Sequence, residues 1–124
     1  MMKIDHLVLT VKDICKTVHF YENHLGFKKK TFSGGRIALQ FSNGKINLHQ
    51  YGDEFEPKAA APTPGSADLC FITDEDIADL MPTLVERGIK IIKGPVIKIG
   101  SQGEINSFYI RDPDNNLIEI SNYV

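Results

Sequence analysis

His6, His49, Asp68 and Glu119 are set apart from the other ionisable residues by their surroundings. Each interrupts a strand-like stretch: His6 in KIDHLVLTV, His49 in KINLHQY, Asp68 in ADLCFIT and Glu119 in LIEISNY. An imidazole or carboxylate on a half-buried strand is costly unless it finds a partner, and a divalent cation satisfies several such groups at once. Metal binding is therefore the first chemistry these residues suggest. The remaining histidines and the two cysteines read differently. His19 and His24 fall on a helical stretch, where His24 just before Gly26 suits the negative end of a helix, so both read as solvated. Cys15 and Cys70 form neither a CxxC pair nor a disulfide framework, and Cys70, on the strand face of Asp68, reads as a small buried thiol.

These side chains need elements to carry them. Residues 3–11 alternate as a strand, with Ile4, His6, Val8 and Thr10 on one face and Leu7 and Leu9 on the other. Asp13 then caps a helix whose Ile14, Val18, Tyr21 and Leu25 recur at helical spacing, and Gly26 ends it. Strands are expected over 27–33, 36–42 and 45–51, separated by the turn pairs Gly34-Gly35 and Asn43-Gly44. Residues 52–66, rich in proline, form a linker. The order then repeats: a strand at 67–73, a helix from Ile77 to Gly88 with a kink expected at Pro82, and strands at 90–99, 104–111 and 117–123.

Aligning the halves sharpens the pattern. An offset of 62 pairs Leu7 with Leu69, Gly26 with Gly88 and His6 with Asp68. An offset of 72 pairs Ile46 with Ile118, Tyr51 with Tyr123 and Asn47 with Glu119. The ten-residue difference points to an insertion around 100–103. Four polar side chains thus occupy two repeated pairs of positions, and strand parity adds His49 to the face of Asn47 and Ser121 to that of Glu119. The opposite faces, with Leu7, Leu9, Leu48, Leu69, Phe71, Ile118 and Ile120, would cover the helices. The expected fold class is α+β, two tandem βαβββ modules (3–51 and 67–124) forming a cupped mixed sheet with flanking helices, one domain over 1–124. Arg36, Gln40, Tyr51, Ser107 and Tyr109 would project from cup-lining strands as substrate contacts. Lys28, Lys29 and Lys30 read as edge protection.

Composition narrows the function classes. Fourteen Lys+Arg against sixteen Asp+Glu leave a net charge of −2, so no strong field favours nucleic acid or an anionic membrane. Without a leader-like or long apolar run, the chain is expected to be neither secreted nor membrane-spanning, and cytoplasmic.

The stretches DHLVLTV at 5–11, HFYENHLGF at 19–27 and RDPDNNLIEIS at 111–121, with the element order, resemble the vicinal oxygen chelate superfamily of glyoxalase I, bleomycin-resistance and extradiol-dioxygenase proteins. The resemblance implies a divalent metal (Zn, Ni, Mn, Fe or Co) held by residues of the first and last strands of each module. His6, Asp68 and Glu119 fall on those positions, with Asn47 on the fourth and His49 one pleat further on. Two ligand sets follow, His6, Asp68 and Glu119 or His6, His49 and Glu119. The resemblance further implies chelation of two adjacent oxygens of a small substrate, a lyase or isomerase reaction with Glu119 as base, and a homodimer. Its rivals are a binding or drug-sequestering protein without turnover and an iron-dependent dioxygenase using His49.

Overall fold

The computed structural model describes residues 1–124, which form two units, Met1–Ser66 and Ala67–Val124. In the first, strand β1 (His6–Val11) leads to helix α1 (Ile14–Leu25) and to β2 (Lys28–Phe32), β3 (Arg36–Phe41) and β4 (Gly44–Gln50). The second repeats the series as β5 (Asp68–Ile72), α2 (Ile77–Glu86), β6 (Lys93–Gly100), β7 (Gly103–Arg111) and β8 (Leu117–Tyr123). Each unit builds its own four-stranded mixed sheet, ordered β1-β4-β3-β2 in one and β5-β8-β7-β6 in the other. The first and last strands of each unit lie parallel and the other pairs antiparallel. The α+β class and the tandem βαβββ modules are therefore as expected, with the strands divided between two sheets. No helix is long and apolar enough to cross a membrane.

Local chemistry starts and stops the helices. The Asp13 carboxylate accepts a hydrogen bond from the Lys16 amide at 3.0 Å, and Gly26 closes α1 in the left-handed region at φ 73°. Asp76 caps α2 in the same way, accepting from the Ala78 amide at 2.9 Å. Asp13→Ala leaves that α1 donor unpaired and is expected to cost about 1 kcal/mol, measured by urea unfolding. The kink expected at Pro82 is not a break: α2 continues past it to Glu86, and the exposed ring faces solvent.

Register reproduces the repeat residue by residue. His6 pairs with Lys45, and Asp68 with Leu117, so the offsets of 62 and 72 hold across both parallel pairs. Module 1 buries Leu9, Val11, Leu39, Ile46 and Leu48 with Val18, Phe20 and Tyr21 of α1, and module 2 buries Phe108, Ile110, Ile118 and Ile120 with Ile77 and Leu84 of α2. The insertion is not confined to 100–103. Ten residues separate Val96 from Ser107, where three separate the corresponding Phe32 and Arg36. Most of the extra chain lengthens the β6–β7 hairpin, which closes at Gly100 and Gly103.

Two local expectations need correction. The β3–β4 turn is Ser42-Asn43, with Gly44 already paired to Phe41, because the ladder runs one residue further than the Asn-Gly signal suggests. The linker is ordered against the first module, with the Phe55 ring beside His49 and Arg36. Cys70 is exposed and not the buried thiol expected, and Cys15 is exposed too.

Candidate functional site

Alternation along each sheet leaves one face for the helix and one polar face. In module 1 the polar face carries His6, Val8 and Thr10 of β1 beside Lys45, Asn47 and His49 of β4 and Gln40, Ala38 and Arg36 of β3. The His6 Nδ1 lies 2.8 Å from Asp5 Oδ2, and this contact holds the Asp5 carboxyl below the usual carboxylate range. A carboxylate on one ring nitrogen fixes the imidazole and leaves the other free for a ligand, the arrangement typical of metal-binding histidines. The partnership escaped sequence reasoning because adjacent strand residues point to opposite faces, whereas Asp5 precedes the strand and is free of that constraint.

His49 is placed differently. It pairs with Thr10, four residues along from the His6 row, a separation of about 13 Å at the strand rise. The residue is 9% exposed and its ring meets Phe55 edge-on at 5.6 Å, while the Arg36 guanidinium lies 4.1 Å over the same Phe55 ring. His6 and His49 are thus too far apart along the sheet to share one cation, and the linker phenylalanine covers both His49 and Arg36. Gln40 stays exposed in the His6–Lys45 row, and Tyr51 lies just beyond β4, 56% exposed, with its backbone tied to Val11. Asn47 is the diagonal neighbour of His6, and its Oδ1 is buried without a hydrogen-bond partner.

Module 2 carries the matching pair. Asp68 and Glu119 are diagonal neighbours on the parallel β5–β8 ladder, within ~7–8 Å by sheet geometry. Glu119 sits between Cys70 of β5 and Tyr109 of β7, and its Oε2 is buried without a partner. Burial, and then the Glu119 carboxylate beside it, push the Tyr109 phenol above its usual range, so it stays protonated as a donor. Although Cys70 keeps an exposed surface, partial desolvation of its thiol raises it above the usual range, with Glu119 and Asp68 adding to the effect, which keeps it from acting as a thiolate nucleophile. The Cys70 sulfur lies 3.4 Å from Ser121 Oγ, which lies 2.6 Å from Ser107 Oγ. Neither serine has any exposed surface, so Ser107 is part of the floor, not a substrate contact. Either Ser107→Ala or Ser121→Ala is expected to cost about 1–3 kcal/mol by orphaning its partner, and the double variant less than their sum, as a double-mutant cycle in denaturant would show.

A cleft of about 390 Å³ opens on this face, lined by Glu119, Tyr109 and Cys70 at one end, Ile72, Ile105 and Tyr123 along its wall, and Lys98 and Ser101 from the long hairpin. Lys98 was not among the expected site residues, because its hairpin extends past the repeated unit. No three His, Cys, Asp or Glu side chains gather into a cluster able to hold a metal ion. Each module instead presents a repeated pair, His6 with Asn47 and Asp68 with Glu119.

The family model described as Glyoxalase/Bleomycin resistance protein/Dioxygenase superfamily matches residues 3–120. The virulence protein STM3117 of Salmonella typhimurium is 61% identical over 122 residues, 98% of this chain and 85% of that protein. The crystal structure of that protein matches at a TM-score of 0.97 and 60% identity, covering 100% of this chain and 98% of the other. The glyoxalase domain-containing protein RDO1 of Mycosarcoma maydis is 54% identical over 120 residues, 97% of this chain and 68% of that protein. An integron cassette protein from the mobile metagenome of V. cholerae matches at a TM-score of 0.95 and 57% identity, covering 100% of this chain and 99% of the other.

Proposed function

The chain belongs to the glyoxalase/bleomycin resistance/dioxygenase superfamily, and on that premise we propose that it is a divalent-metal-dependent lyase or isomerase of a small, oxygen-rich molecule. The observation that carries this reading is the buried, partnerless Oε2 of Glu119. A carboxylate oxygen shut away from water without a donor is costly, and its chemistry fits a hard or borderline cation. Within module 2, Glu119 and its diagonal neighbour Asp68 would be the residues that hold the ion, and the Asp5-supported His6 is the ligand candidate that module 1 presents. When bound, it would polarise adjacent substrate oxygens and stabilise negative charge that develops on them.

The chain's own groups supply the rest. Glu119 is the proposed base, taking a substrate proton on its carboxylate. Tyr109, kept protonated by burial and by Glu119, holds a hydroxyl beside that carboxylate. The apolar wall of Ile72, Ile105 and Tyr123 excludes water from one side of the substrate. His6 is oriented by Asp5 through Nδ1, with Nε2 as the ligand nitrogen. A homodimer in the cytoplasm belongs to the same reading.

Elemental analysis of protein purified without chelator, wild type beside Glu119→Gln, tests the proposal. A divalent metal near one per chain is expected in the wild type and little in the variant. Equal content in both removes Glu119 from the ligand set. A second reading, small-molecule binding without turnover, is favoured by the absence of any three-ligand cluster. It predicts unchanged ligand affinity after metal removal. The dioxygenase alternative loses its second histidine, since His49 lies under Phe55 and far along the sheet from His6.

A further inference from the structure

The β6–β7 hairpin brings a lysine to the Glu119 cleft that no repeated position supplies. Lys98 is half-buried, lines the cleft and makes no ion pair. It sits in the row of Ile105 and Tyr123, whereas Glu119 sits in the row of Tyr109 and Cys70. Those rows are four residues apart along β7, about 13 Å at the strand rise. In the row between them Ile72 is 47% exposed, and Tyr123 beside Lys98 is 41% exposed, so apolar surface is left open between two polar ends. Exposed apolar surface framed by polar groups is the usual make-up of a ligand groove, and about 390 Å³ lies at the small end of the range for such sites.

The two ends differ in sign. Glu119, with a free buried oxygen and the Tyr109 hydroxyl beside it, suits a hydroxyl- or carbonyl-bearing end, directly or through a cation. Lys98 offers a single, unpaired ammonium, a point charge suited to a compact anionic group. The strip between them suits a short aliphatic chain. Resting on the reading of Glu119 as the polar anchor, we propose that Lys98 is the specificity-determining residue of this site and selects a small aliphatic carboxylic acid that carries its reactive oxygens at the end away from its carboxylate.

The test uses the full-length protein as purified, with its metal content recorded. Glycolate, 4-hydroxybutyrate and 6-hydroxyhexanoate are titrated beside their methyl esters, and dissociation constants are taken from NMR shifts. A charge-assisted contact to Lys98 is expected to make one of the longer acids bind about tenfold more tightly than its ester. Lys98→Met should bring that ratio close to one while leaving ester binding unchanged, and Lys98→Arg should keep the preference. An acid preference that survives Lys98→Met, an absent preference in the wild type, or no binding of any probe overturns the proposal. Glu119→Gln separates the two readings. It is expected to weaken acid and ester together and leave their ratio intact. Unchanged metal content in that variant would end the metal reading of Glu119, while the acid-to-ester ratio would still judge Lys98.

Discussion

Glu119→Gln is expected to abolish the thermal stabilisation that divalent metal confers on the wild type. Stripped of metal, the two proteins should unfold within about 1 kcal/mol of each other, because glutamine keeps the shape of the side chain and removes only the charge. Adding Zn²⁺ or Ni²⁺ at a hundredfold excess over its dissociation constant should stabilise the wild type by about 2.7 kcal/mol, through binding to the folded state alone. For a chain of this length that is a rise of roughly 10 °C in the unfolding midpoint. The variant should show almost none. The physical basis is the orphaned Oε2, a buried acceptor that metal would satisfy and an amide nitrogen in its place could not. Equal shifts in both proteins, read by differential scanning calorimetry, would show that the metal binds elsewhere.

Gly94→Ala should be among the most damaging single-methyl changes in the chain. Gly94 lies at φ 119°, within the irregular stretch where the β6–β7 register shifts between Lys93 and Val96. A Cβ there would stand 2.6 Å from the Ser107 carbonyl oxygen, 2.7 Å from Phe108 Cα and 2.8 Å from Phe108 Cβ. Two of those atoms belong to the backbone of the neighbouring strand, which cannot swing aside as a side-chain tip can. Strain and overpacking together are expected to cost about 3 kcal/mol or more. Gly88→Ala is the control: its φ of 86° is also left-handed, but nothing lies within 4 Å, so only the conformational cost of about 1 kcal/mol applies. Equal losses in the two variants, measured by urea denaturation, would show that the close approach to β7 is not the cause.

The legibility of this fold follows from which forces are local. Asp13, Gly26 and the alternation of 6–11 specify their elements through short-range hydrogen bonds, φ preference and pleat, so a linear reading finds them. The repeat is legible for the same reason, since two copies of one pattern need the same residues at the same spacing. That is how Asn47 and Glu119 emerge as partners, and both carry a buried oxygen without a donor. The shared orphan is what the two repeated positions have in common in the structure.

What escaped the sequence lies where distant segments meet. Phe55 belongs to a stretch whose composition suggests a linker, and nothing local says that its ring will cover His49 and Arg36. Gly94 looks like any other glycine until β7 is laid beside it. Lys98 falls in the inserted part of a hairpin, where the repeat offers no counterpart to draw attention to it. The Asp5–His6 contact depends on where β1 begins, a matter of one residue.

By itself, the order of residues determined the two βαβββ modules, the apolar face of each sheet and the repeated positions of His6, Asn47, Asp68 and Glu119, because pleat and helical period act over a few residues. Only the tertiary structure decided that His49 and His6 stand about 13 Å apart along the sheet, that His49 is covered, and that Lys98 joins Glu119 in one cleft. Those outcomes depend on ladder register and on chain returning from far away, and neither leaves a local mark on the residues it brings together.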